Sequence, residues 1–180
     1  MTRVLVACWL MLLLVSPGWG KDDDEDDLRN AVYRGRVVDV ETGKPLEGVL
    51  VVMYWYRDVT GHERAELHAA TEVLTDARGQ FAISAAPGAA SDPTIIHVHA
   101  PEAIIFKPGY IRWRVTARDP LRAPILVDMK RVLDPKEAVG LHLSADFPYD
   151  RTPLLVKLLN AERSRLGLPA IRTRNGERRE

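Results

Sequence analysis

The chain has 180 residues, with 25 Lys and Arg balanced by 25 Asp and Glu, so its zero formal charge offers no basic footprint for a nucleic acid. Its single cysteine, Cys8, lies in the first apolar run, which excludes a disulfide framework or a thiol nucleophile from everything after that run. The length suits one domain with a modest appendage.

Residues 1–20 read as a signal peptide. Arg3 supplies a positive start, Val4 to Val15 is apolar, and Gly18 and Gly20 are the small residues of a cleavage site before Lys21. The run is shorter than the roughly twenty apolar residues a membrane span needs. Leu5-Val6-Ala7-Cys8 is similar to a bacterial lipobox, which would lipidate Cys8, but here the apolar stretch follows the cysteine instead of preceding it. The expectation is export to the periplasm or medium, with no lipid anchor and no transmembrane span in the mature chain. Residues 21–30 follow as an acidic spacer: the block from Asp22 to Asp27 repels itself, buries nothing, and lacks the glycine-containing spacing of a calcium-binding hand.

From residue 31 to 133 the pattern is that of an all-β domain. Strands are expected at 32–40, 48–57, 65–75, 80–84, 94–100, 111–117 and 123–132, separated by Gly, Pro and Asp turns. Gly43 and Pro45 mark one turn, and Asp76 and Gly79 another. In the second strand Val49, Val51, Met53 and Trp55 face one way while Leu50, Val52, Tyr54 and Tyr56 face the other. A strand apolar on both sides belongs in the middle of a sheet covered on both faces. Ala85 to Pro93 is small and proline-rich, hence a loop. There is no internal repeat, phosphate-binding glycine loop or paired zinc-type cysteine.

The run Gly35-Arg36-Val37-Val38-Asp39, the turn Glu41-Thr42-Gly43-Lys44-Pro45, the strand after Gly48 and the turn Thr75-Asp76-Ala77-Arg78-Gly79 together resemble the carboxypeptidase regulatory-like domain. Pro108-Gly109-Tyr110 also fits that family, before a late strand. The resemblance implies an antiparallel, transthyretin-like β-sandwich of about seven strands, and a role beside other envelope proteins without peptide cleavage.

Residues 134–170 form a C-terminal extension. Thr152 and Pro153 read as the cap and first turn of a helix, in which Leu154, Leu155, Leu158, Leu159 and Leu166 recur at helical spacing until Gly167-Leu168-Pro169 ends it. That amphipathic stripe is expected to dock on the sandwich. Residues 171–180 are a charged tail.

The candidate chemistry is His97-Val98-His99. On a strand both imidazoles face the same side and are the candidate metal ligands, with His62, His68 or a carboxylate as the only sources of a third. The same segments are similar to the intradiol ring-cleavage dioxygenases, whose ferric site takes two histidines from a His-x-His strand and two tyrosines. Here His62 stands where the first tyrosine would fall, Ala89 and Ala90 follow Pro87-Gly88 in place of the second, and Thr94 replaces an arginine. The resemblance therefore implies the scaffold and not an intact ring-cleaving activity. The hydroxyisourate hydrolases use a related scaffold, but their C-terminal Tyr-Arg-Gly-Ser is absent, and no serine sits in a nucleophile-elbow context. Tyr54, Trp55, Tyr56 and Trp113 suit core packing or an aromatic platform. The expected function is a non-enzymatic envelope module with no cofactor, structural or binding a protein or glycan. The alternative is a metal-binding, dioxygenase-like enzyme using His97 and His99.

Overall fold

The computed structural model describes residues 32–84, 94–116, 124–132 and 147–172. The expected signal segment, acidic spacer and loop at 85–93, and most of the expected charged tail, lie outside the described residues. The strands are β1 (Val32–Asp39), β2 (Leu50–Val59), β3 (Glu66–Leu74), β4 (Gln80–Ser84), β5 (Ile95–Val98), β6 (Glu102–Phe106), β7 (Trp113–Thr116) and β8 (Ile125–Met129). A single 3-10 turn (Tyr149–Arg151) and helix α1 (Pro153–Arg165) follow.

The strands form two sheets. The smaller has the order β4-β1-β8; the larger has β3-β2-β6-β7, with β5 also on β2. Pairing is antiparallel except between β1 and β8, where Gly35 to Asp39 run parallel to Ile125 to Met129. That parallel pair departs from the antiparallel sandwich expected.

β6 is the strand that the sequence pattern hides. Ala103-Ile104-Ile105-Phe106 is an unbroken apolar run after Pro101, so it carries no alternation to mark it. The reason is its position, with β2 on one side and β7 on the other and apolar layers against both faces. β5 and β6 lie end to end along the same edge of β2: Leu50 to Tyr54 pair with β6, and Arg57 to Val59 with β5. Pro101, which has no N–H to donate, falls at the break between them.

β2 is apolar on both sides because it is covered on both. Val49, Val51, Met53 and Trp55 meet Tyr33, Val37, Phe81, Ile83, Val127 and Met129 of the smaller sheet. Leu50, Val52 and Tyr54, with Ile104 and Phe106, pack under Phe147, Leu155 and Leu159. The helix therefore makes a third layer, as its leucine stripe implies.

The start of α1 differs from expectation in one respect. Thr152 occupies the N-cap position, but its hydroxyl donates to the Pro148 carbonyl and caps nothing. The cap comes from β3: the Glu72 carboxylate accepts the backbone N–H groups of Leu154 (3.0 Å) and Leu155 (2.7 Å). A carboxylate on these orphan donors also suits the positive end of the helix dipole. Glu72→Ala should cost about 1 kcal/mol, the usual loss for a cap, read as a lower urea midpoint. The other end closes as a Schellman turn, with Gly167 N–H donating to Ser164 O and Leu168 N–H to Arg163 O.

Gly43 has φ of +65° in the turn after β1 and no neighbour within 4 Å of a built Cβ, so backbone conformation alone opposes a side chain there. Gly43→Val should destabilise the domain by about 1 kcal/mol or more. An unchanged denaturation midpoint with an unchanged m-value would contradict this reading.

Candidate functional site

Among the described residues the most buried carboxylate, Asp39, closes β1 and is 1% exposed. Its two oxygens accept five hydrogen bonds, from Glu41 N, Thr42 N, Thr42 Oγ1, Tyr110 Oη and Arg131 Nε. Burial alone would favour the neutral acid. The Thr42 N–H, the Tyr110 hydroxyl, Arg131 and the Thr42 hydroxyl outweigh it and hold the carboxyl well below the usual range. Tyr110 stands in the Pro108-Gly109-Tyr110 turn, whose Gly109 N–H reaches Glu162 of α1 at 3.3 Å. One short turn thus ties the end of β1 to the helix.

A depressed carboxyl pKa stabilises the fold at pH values above the unfolded value near 4, and that contribution is lost as pH falls below it. Asp39→Asn should therefore be less stable than the parent at pH 7, with the gap narrowing below about pH 4. Urea unfolding at several pH values measures this; a gap that stays constant into acid would show that the charge is not what matters.

A second polar cluster lies on the helix-side face of the larger sheet. The Tyr54 hydroxyl donates to Glu102 Oε2 at 2.6 Å, and Arg114 donates to the same oxygen through Nε at 2.8 Å and again through Nη2. Burial and then the Glu102 hydrogen bond push the Tyr54 hydroxyl far up. Burial opposes the Glu102 charge, but Tyr54 and Arg114 together hold its pKa down. Arg112 sits close by, within the electrostatic reach of Tyr149, Arg114 and Tyr54, and burial lowers its pKa. Its Nη1 is buried without a hydrogen-bond partner among the described residues. Only the alternation of Arg112 and Arg114 about Trp113 hints at this cluster in the sequence.

The structure places His97 and His99 as strand alternation requires. Their rings lie 5.1 Å apart, edge to face, and both side chains are exposed, while Val98 packs on the sandwich core. Asp58, which pairs with His97 across β2 and β5, sits 3.0 Å from His99 Nε2. The other two histidines do not join them. His62 bonds Glu66 within its own turn, Nδ1 to Oε1 at 2.5 Å. His68 is the extra residue where the β2–β3 register shifts, on the opposite edge of β2 from β5. Two strand spacings, about 10 Å, separate those edges. Among the described residues no group of three or more His, Cys, Asp or Glu is arranged to hold a metal ion.

The aromatic residues divide. Tyr54 and Trp55 are buried, Tyr56 is half-buried, and Trp113 is 42% exposed, so the four form no common platform. Among the described residues no helix is long and apolar enough to cross a membrane.

No protein-family model matches the chain, and no curated protein matches it. Solved structures similar to part of it include the following two. A 9R-lipoxygenase from Cyanothece PCC8801 is 14% identical over 58% of this chain and 16% of its own, with a TM-score of 0.30. The streptococcal ancillary pilin is 13% identical over 59% of this chain and 30% of its own, with a TM-score of 0.32. The chain thus spans less than a third of either protein, and neither likeness bears on what it does.

Proposed function

We propose that this chain is an exported, non-catalytic β-sandwich module of the cell envelope, akin to the carboxypeptidase regulatory-like domains, with a structural role or a protein or glycan partner. The observation that carries the reading is where the deepest carboxylate is spent. Both oxygens of Asp39 are filled by groups of the fold itself, which leaves that carboxylate nothing to offer a substrate. The turns at Gly43, Gly79 and Pro108-Gly109-Tyr110 also support the family resemblance, since each joins elements where the motif implies a turn. N-terminal sequencing should find a mature chain starting at or near Lys21 in the periplasm or medium. An acylated Cys8 or an intact Met1 would sink the export reading.

The pairing of His97 with His99, and of His99 with Asp58, favours metal binding as the second reading. Two imidazoles and a carboxylate already engaged by one of them make a weak set for a catalytic ion. Elemental analysis of the untagged protein should find no stoichiometric metal. Iron, zinc or copper at stoichiometric level, lost on replacing both His97 and His99 by Ala, would put the second reading first.

A further inference from the structure

We propose that Arg112 anchors a binding site for a single carboxylate group, on the helix-side face of the larger sheet beside the Tyr54–Glu102–Arg114 cluster. A guanidinium N–H buried without an acceptor is costly, because it has given up water and gained nothing. The neighbours do not relieve it. Tyr54 and Arg114 converge on one oxygen of Glu102, and that ion pair engages Arg114, not Arg112. No described residue supplies the acceptor, and one from outside the chain would complete the arrangement.

The charge count selects the class of ligand. Arg112 and Arg114 against Glu102 leave one net positive charge, which a monoanion neutralises and a phosphate dianion exceeds. The flat guanidinium fork also matches a carboxylate through two parallel hydrogen bonds. Beside it stands the half-buried ring of Tyr149, edge to face with the buried Phe147 (5.1 Å between centroids), on which an apolar group attached to the carboxylate can rest. A peptide C-terminus and a uronic sugar both present this chemistry. The inference is independent of export and of the envelope role.

The test is titration of the whole chain with sodium benzoate, against sodium chloride at equal ionic strength, followed by the Nε–Hε NMR signals of the arginines. The Arg112 signal should shift saturably with benzoate, and inorganic phosphate should bind more weakly. Arg112→Gln should weaken binding by at least about tenfold, the weight of one charge-assisted hydrogen bond, while Arg34→Gln on the smaller sheet changes nothing. N-acetylalanine and glucuronate then separate the two natural sources. If the Arg112 signal does not move, a structural water alone satisfies the group and the proposal fails. It fails too if chloride matches benzoate, or if phosphate binds more tightly. The parent's NMR signal decides the matter even if Arg112→Gln does not fold.

Discussion

Trp55→Ala should destabilise the protein by roughly 3–5 kcal/mol, enough to threaten folding altogether. Trp55 is 3% exposed in the core between the sheets, with its ring edge to face with Tyr33 at 6.1 Å. Removing the indole leaves a cavity walled by β2 and the smaller sheet, both pinned by their ladders and slow to collapse into it. The loss should appear as a much lower thermal midpoint, and Trp55→Phe should recover part of it. A folded Trp55→Ala variant of parental stability would mean that this side chain faces a ligand and not the core.

Gly79→Ala should be nearly as damaging. Gly79 holds φ at +70°, and a Cβ built on it would stand 2.4 Å from the Val37 carbonyl oxygen, with Leu46 N at 3.1 Å and Pro45 Cβ at 3.2 Å. The obstacle is backbone of β1, held in place partly by Val37 N–H donating to Gly79 O at 2.8 Å, so it cannot swing aside as a side chain would. Left-handed strain of about 1–2 kcal/mol and overpacking of about 1–3 kcal/mol add to roughly 2–5 kcal/mol. Gly43→Val, with empty space around it, should cost less. If the two variants unfold at the same denaturant concentration, the close approach at Gly79 is absent.

The sequence reveals whatever depends on neighbours along the chain. β2 declares its double burial through an unbroken apolar run from Val49 to Tyr56, and the helix declares its docking face through leucines at helical spacing. β6 stays hidden because its apolar run, Ala103 to Phe106, is too short to stand out without a period-two signature. Glu72 is hidden for another reason. Nothing local distinguishes a strand glutamate facing solvent from one that caps a helix 82 residues later. The histidine pair follows directly from strand alternation, whereas the Glu102–Arg114 pairing and the isolation of Arg112 depend on the register between β6 and β7, which only the assembled sheet fixes.

The parallel pairing of β1 with β8 has a kinetic consequence. β2 and β3 can meet across a short hairpin, but Gly35 must wait for Ile125 before the smaller sheet has its third strand. Closing so long a loop makes that step slow compared with hairpin formation. Until it is complete, one edge of β1 remains unpaired and the Val37 layer lacks Val127 and Met129. The nascent chain is thus most vulnerable to misassociation when all but its last strand has been made.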